Sequence, residues 1–154
     1  MTLEIGRSAP DFALPDQHGQ ETSLSSFLGA KSVTVLFYPY AFSGICTSEL
    51  GELRDDLAAF RGETAELLAV SCDHMFSLRA YAERDGLTYP LLSDFWPHGE
   101  VSRAYGVFDE QRGAAVRGTF LVDREGLLRW QLVNPIGTGR DLDDLRLALR
   151  DLAG

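Results

Sequence analysis

The order of elements in this 154-residue chain predicts an α/β fold, a central mixed β-sheet flanked by helices. Two observations carry that prediction. Residues 33–38, an apolar run rich in β-branched residues, and 66–71, a second apolar run, are of strand length with a helix-period segment between them, and such a βαβ unit forces a parallel pair with a right-handed crossover. Further on, residues 119–123 and 127–133 flank Arg124, Glu125 and Gly126 as a hairpin and are followed by an amphipathic segment, which adds antiparallel strands and a closing helix. One domain over residues 1–154 is expected, since a chain of this length buries a proper core without division.

Taken from the N-terminus, residues 5–15 carry alternating apolar residues with Pro10 and Pro15, as an edge strand or extended arm would. Residues 16–19 form a turn signal in which His18 reads as a solvated turn residue, and residues 23–29 have room for one helical turn. The strand 33–38 breaks at Pro39. Pro39 and Gly44 bracket a loop, and helical periodicity starts at Ile45 or Cys46, with Cys46, Leu50, Leu53, Leu57 and Phe60 on one apolar stripe. After the strand 66–71, Asp73 is placed to cap a helix over 75–85 that Gly86 ends; Met75, Leu78 and Ala82 face inward and His74 stands at its exposed start. Residues 88–93 read as a short strand and 97–105 as a short helix stopped by Gly106. The aromatic loop 95–99 between them is local packing or, with Tyr40 and Phe42, a self-association patch. Arg117 and Gly118 lead into the first hairpin strand. The last helix spans 141–153, capped by Asp141, with Asp144 in its first turn, Leu142, Leu145, Leu149 and Leu152 as its stripe, and Gly154 as its stop.

Composition narrows the function classes. With 45% hydrophobic and 24% charged residues the chain has the make-up of a soluble globular protein, without repeats or low-complexity tracts. A formal net charge of −9 and scattered basic residues repel nucleic acid and anionic membrane, so neither is expected as a partner. No apolar run is long enough to span a bilayer and the N-terminus has no leader pattern, which implies a cytoplasmic protein. Two cysteines, Cys46 and Cys72, are too few for a disulfide framework. Cys72 and His74 make a C-x-H pair without further ligands nearby, so no metal is expected.

The chemistry-bearing stretch is the junction of the first buried strand and its helix. Cys46 alone would read as the first core residue of an amphipathic helix, because unpaired cysteines behave as small hydrophobes. At a helix start, however, free N–H groups and the positive end of the helix dipole favour an anion, and for cysteine that anion is the nucleophilic thiolate. The rule that ligands bind beyond the carboxyl ends of parallel strands selects the same place. Pro39, Ser43 and Cys46 spell P-x-x-x-S-x-x-C, followed by Glu49.

This pattern resembles the active-site signature of the peroxiredoxins, thiol peroxidases of thioredoxin-like fold. Gly6 through Phe12, G-x-x-A-P-D-F, is similar to the opening of that family, and the element order matches a thioredoxin-like sheet sandwiched by helices. The segments 41–46, 91–99 and 105–108 are especially similar to its one-cysteine, alkyl hydroperoxide reductase E type. The resemblance implies that Cys46 attacks a hydroperoxide, that Pro39 shields the sulfur from water, that Ser43 hydrogen-bonds the peroxide and that Arg117 holds the thiolate and polarises the O–O bond. Ser43 takes the less frequent of the family's two options there, Thr or Ser. Glu49 would support the site by an ion pair with an arginine such as Arg140. No cofactor is implied.

Magnitudes assign the weight among these groups. Lowering a thiol pKa from about 8.5 to about 6 raises the thiolate fraction near neutral pH by only ~10–30-fold, and a Brønsted slope of ~0.4–0.5 takes back most of that gain in nucleophilicity. The larger share must come from donors at the leaving oxygen, each worth roughly 2.7–4 kcal/mol in comparable sites. Arg117, the Ser43 hydroxyl and the Cys46 amide are the candidates.

Cys72 reads most simply as a core residue at the end of the second buried strand, although its place at the same sheet end as Cys46 leaves a disulfide after local unfolding open. Position 51, where some peroxiredoxins carry a resolving cysteine, is Gly51. An external thiol is therefore expected to regenerate Cys46, either a low-molecular-weight thiol with a glutaredoxin-like protein or thioredoxin. A homodimer or higher homo-oligomer through Tyr40, Phe42 and Trp96 is expected. Two other readings compete: a redox-responsive chaperone or sensor whose assembly changes when Cys46 is oxidised, and a thiol–disulfide oxidoreductase. The last is disfavoured because Glu49 stands where C-x-x-C needs its second cysteine.

Overall fold

The computed structural model describes residues 3–153, so the expected helix stop at Gly154 lies outside the described residues. Strand β1 (Ala13–Pro15) pairs antiparallel with β2 (Glu21–Ser23) about a turn that Asp16 holds, its Oδ1 accepting the amides of His18 at 2.8 Å and Gln20 at 3.0 Å. The expected arm thus folds back on itself as a hairpin; β2 is too short and too polar for alternation to reveal it. A 3₁₀ turn at Leu24–Phe27 fills the place of the expected helical turn.

Strands β3 (Ser32–Phe37) and β4 (Ala65–Ser71) are parallel neighbours joined by helix α1 (Gly44–Asp55). Helix α2 (Met75–Asp85) then leads to β5 (Leu91–Ser93), parallel to β4. Each connection moves one strand in the same direction, so right-handed crossovers put α1 and α2 on the same face of the sheet. A short helix α3 (Glu100–Ala104) and a two-residue hairpin, β6 (Phe108–Asp109) with β7 (Ala114–Ala115), follow. Strands β8 (Arg117–Val122) and β9 (Leu128–Asn134) complete a five-stranded mixed sheet of order β5-β4-β3-β8-β9, and helix α4 (Leu142–Ala153) closes the chain.

Alternation along the central strands divides the core in two. Leu36, Leu67 and Ala69 point with Tyr38 into the layer under α1, α2 and α4, among Leu50, Leu53, Leu78, Tyr81 and Leu145. Val35, Phe37, Leu68 and Val70 point the other way, against Phe12, Leu14, Val101, Tyr105 and Phe120. Burial of each such side chain contributes about 1.5–3 kcal/mol.

Several boundaries differ from expectation for local reasons. Helix α1 ends at Asp55, and Leu57 begins a separate 3₁₀ turn, Leu57–Ala59; Phe60 still reaches the helix-side core. Asp73 does not cap α2. His74 is the cap, its Nδ1 accepting the Phe76 amide at 3.2 Å, while Gly86 ends the helix at φ +66° as expected. Asp141 does cap α4, accepting the Asp143 amide at 2.9 Å. Of the expected helix 97–105 only Glu100–Ala104 is helical, and of the expected strand 88–93 only Leu91–Ser93 pairs.

Candidate active site

The parallel strands β3 and β4 end at the same edge of the sheet, and Cys46 lies in the first turn of α1 just beyond the end of β3. Its side chain is fully buried, at 0% exposure, within the helix-side core. Glu49 follows three residues later, the spacing that places two side chains on one helix face, and it too is buried. Strand β8 runs antiparallel beside β3 with Thr119 opposite Leu36, so its first residue, Arg117, arrives next to the end of β3. Sheet register is therefore what brings together residues 71 positions apart.

Arg117 Nη1 donates to Cys46 Sγ at 3.3 Å and to Glu49 Oε1 at 2.7 Å, while its Nε donates to the Ile136 carbonyl at 2.7 Å. Glu49 also receives Arg140: its Oε2 accepts the Arg140 amide at 2.7 Å and Nε at 3.1 Å. Arg140 spends its remaining donors on the Gly118 carbonyl, the Thr119 hydroxyl and the Phe37 carbonyl, tying β3 to β8 at the site. Burial draws the Arg140 guanidinium pKa down and the Glu49 carboxylate opposes this. Both arginines and the carboxylate are buried, so water screens their interaction little. Two guanidinium groups against one carboxylate leave one positive charge over. The group in contact with it is a sulfur that is negative in its attacking form.

Gly118 makes the close approach here possible. A Cβ on it would lie 2.8 Å from Val107 Cγ1 and 3.0 Å from Phe120 Cε2, so a side chain there would displace these two neighbours beside the site.

The loop 39–43 forms the other wall. Pro39 is buried, whereas Tyr40 and Phe42 are exposed. Ser43 takes the N-cap position of α1, but its hydroxyl does not cap the helix; it donates to the Tyr40 carbonyl at 3.0 Å. Phe42 has φ +69°, a left-handed conformation that is an outlier for a bulky residue and costs of order 1–3 kcal/mol. Its ring packs 4.8 Å from that of Tyr81 and beneath the Arg84 guanidinium at 4.8 Å, both from α2. The Tyr81 hydroxyl in turn meets Thr47 Oγ1 at 3.0 Å. Asp73, expected as a helix cap, is instead turned to this loop, its Oδ2 accepting the Ala41 amide at 2.8 Å.

Cys72 is placed differently. It follows the last residue of β4 but belongs to the other face of the sheet, where Sγ lies 3.9 Å from Ser102 Oγ on α3. Burial, and next the nearby Asp94 carboxylate, push its thiol up to about 11. The Ser102 hydroxyl donates to Asp94 at 2.9 Å and so presents its lone pairs to the thiol, which suits S–H and not S⁻. The sheet thus separates the two sulfurs, and a disulfide between them requires more than fraying of one loop.

The remaining sequence candidates stay apart from this cluster. His18 is an exposed turn residue, and His74 is the helix cap between the rings of Phe76 and Phe95. Among the described residues no three His, Cys, Asp or Glu side chains group as metal ligands, and no helix is long and apolar enough to cross a membrane.

The sequence reading reached Cys46, Pro39, Ser43, Arg117, Glu49 and the Glu49–Arg140 pair, and the fold brings Cys46, Glu49, Arg117 and Arg140 into contact. It missed Asp73 as a loop contact, together with Tyr81 and Arg84. Their one signal was topological, since Asp73 also follows a parallel strand at the sheet end that carries Cys46.

The chain is similar to known proteins. Residues 5–131 match the AhpC/TSA family. Alkyl hydroperoxide reductase E of Mycobacterium tuberculosis is 49% identical over 139 residues, covering 90% of this chain and 91% of that protein. A chloroplastic 2-Cys peroxiredoxin of Spinacia oleracea is 34% identical, covering 96% of this chain and 59% of that protein. The crystal structure of Enterococcus faecalis AhpC superposes with a TM-score of 0.88 at 32% identity, covering 98% of this chain and 92% of that one.

Proposed function

The chain belongs to the AhpC/TSA family, the peroxiredoxins, and from that premise we propose that it is a thiol-dependent peroxidase whose reacting atom is Cys46 Sγ. The observation that carries the assignment is the Arg117 guanidinium, which donates to Cys46 Sγ and to buried Glu49 at once. In the first step the Cys46 thiolate attacks one oxygen of a hydroperoxide. The S–O bond forms, the O–O bond breaks, and the leaving oxygen takes a proton and departs as water or alcohol, with Cys46 left as sulfenic acid. Negative charge passes from sulfur to the leaving oxygen, so a donor near both ends of that path is favoured over one that only holds the thiolate. Arg117 fits that role. Among the described residues its Nη2 takes part in no hydrogen bond and stands ready for the peroxide. Pro39, buried in the loop before α1, would wall the sulfur from water, and the Ser43 hydroxyl, which now donates to the Tyr40 carbonyl, would turn to a bound peroxide.

Reduction of the sulfenic acid falls to an external thiol. One thiol displaces water to give a mixed disulfide and a second releases Cys46 as disulfide forms between the two reductant sulfurs. The opposite-face position and raised thiol of Cys72 support this one-cysteine cycle. A low-molecular-weight thiol with a glutaredoxin-like protein, or thioredoxin, would serve, in the cytoplasm, whose reducing conditions suit two free cysteines. A homodimer or higher homo-oligomer is supported by the exposed rings of Tyr40, Phe42 and Trp96, the last 80% exposed; sizing chromatography tests it.

The deciding experiment mixes reduced protein with one equivalent of hydroperoxide, follows Trp96 and Trp130 fluorescence in stopped flow, and traps the product for mass spectrometry. The expected result is oxidation far faster than free cysteine, with a sulfenic acid on Cys46. A rate no faster than free cysteine overturns the assignment.

A further inference from the structure

We propose that Asp73 is a positioning residue for the peroxide step, holding the loop 39–43 in the conformation from which Ser43 serves Cys46. The proposal rests on the peroxidase reading above and extends it to a residue that touches neither sulfur nor substrate. One carboxylate oxygen of Asp73, Oδ2, accepts the Ala41 amide at 2.8 Å and the Ser71 hydroxyl at 2.8 Å. The Asp73 carbonyl is fixed in turn by the Ser93 hydroxyl at 2.6 Å, and its amide donates to Ser71 Oγ at 3.3 Å. Asp73 is thus anchored to β4 and β5 on one side and grips the loop on the other.

The loop needs such a grip. Ala41 directly precedes Phe42, whose left-handed backbone does not hold itself, and Phe42 directly precedes Ser43. Two groups oppose relaxation of the segment: the Asp73 bond to Ala41 on its N-terminal side, and the Phe42 ring between Tyr81 and Arg84. The Ser43 hydroxyl bond to the Tyr40 carbonyl spans the gripped residue, so the orientation of Ser43 depends on where Ala41 is held. Release of the grip opens the fully buried Cys46 to solvent and misaligns its donors, two effects of opposite sign that different reagents separate. An alkylating agent needs only access; a peroxide needs the donors aligned.

The test uses the intact reduced protein. D73A is expected to slow Cys46 oxidation by hydrogen peroxide at least tenfold while its alkylation by iodoacetamide becomes faster. D73N should restore peroxide reactivity to within about threefold of the parent, because a single amide oxygen can accept both bonds that Oδ2 now accepts. A double-mutant comparison with S43A separates positioning from general weakening of the fold: if Asp73 acts through Ser43, adding D73A to S43A costs less than a further twofold, whereas a merely structural role lets the two losses multiply. Unchanged peroxide reactivity in D73A, equal losses in D73A and D73N, or multiplying losses overturn the proposal. Should D73A not fold, the test passes to D73S, whose side chain is too short to keep the bond to the Ala41 amide; a peroxide rate unchanged there overturns it equally. A parent protein that does not react with peroxide sinks the peroxidase reading itself, an outcome distinct from all of these.

Discussion

The two cysteines of this chain make an internal comparison. Both are buried, both lie just past the end of parallel neighbouring strands, and each has a hydrogen-bonding group at its sulfur. They differ in what surrounds them. Cys46 faces a guanidinium that belongs to a buried cluster with positive charge to spare, while Cys72 faces a hydroxyl already committed to a carboxylate, and its own thiol is pushed up to about 11. Both sulfurs are buried, so burial alone does not distinguish them; what differs is the partner at the sulfur, a guanidinium for Cys46 and the Ser102–Asp94 pair for Cys72.

The largest expected effect breaks the symmetry outright. C46S should abolish peroxide consumption in the presence of an external thiol, while C72S should retain at least half of it; comparable losses in both would mean that Cys72 takes part in the cycle. Next in size is Glu49, which balances the two arginines. E49A leaves two buried guanidinium groups without their counter-ion, a change that destabilises comparable sites by about 3–5 kcal/mol. Urea unfolding measures it, and an unchanged midpoint would show that the arginines are solvated in solution. R117A should then cost about 100–1000-fold in the rate of Cys46 oxidation, the loss of one donor aimed at developing charge. R117K should recover only part of this, because a lysine ammonium lacks the planar fork that here meets sulfur, carboxylate and carbonyl together.

How much of this was legible in the sequence follows from the range of the interactions involved. The βαβ unit, the β8–β9 hairpin, and the caps Gly86 and Asp141 are set by periodicity and by residues within a few positions, and they stand where the pattern put them. The β1–β2 and β6–β7 pairs escaped because strands of two or three residues show no alternation. Cys46 and Glu49 are related by helix spacing alone and could be read together. Arg117 could not be placed against Cys46 without the antiparallel register of β8 on β3; only the family resemblance pointed to it. Asp73 was misread for a related reason. A short acidic residue before a helix looks like a cap, and local sequence carries no sign that His74 takes the cap and leaves Asp73 for a loop 32 residues away.

The smallest expected effect concerns the quieter sulfur and fixes its side of the comparison without any catalysis. The Cys72 thiol moves from an ordinary 9.0 to about 11 on folding. Between those values the unfolded chain has lost the proton that the native state keeps, so the native state binds more protons and stability falls as pH rises. Below about pH 9 the contribution of Cys72 is fully present and constant; it is lost as pH climbs toward 11. Burial also raises the hydroxyls of Tyr38, Tyr81, Tyr89 and Tyr105 from an ordinary 10.0, so parent and variant alike weaken as pH passes that value. The informative quantity is the difference between parent and C72A in denaturant unfolding across this range. It should be flat up to about pH 9 and then shift steadily in favour of C72A as the parent alone meets the cost of a buried thiol facing Asp94. Parallel curves would mean that Cys72 ionises as freely in the folded protein as in the unfolded one. The contrast between the two faces of the sheet would then lose its electrostatic basis and rest on geometry alone.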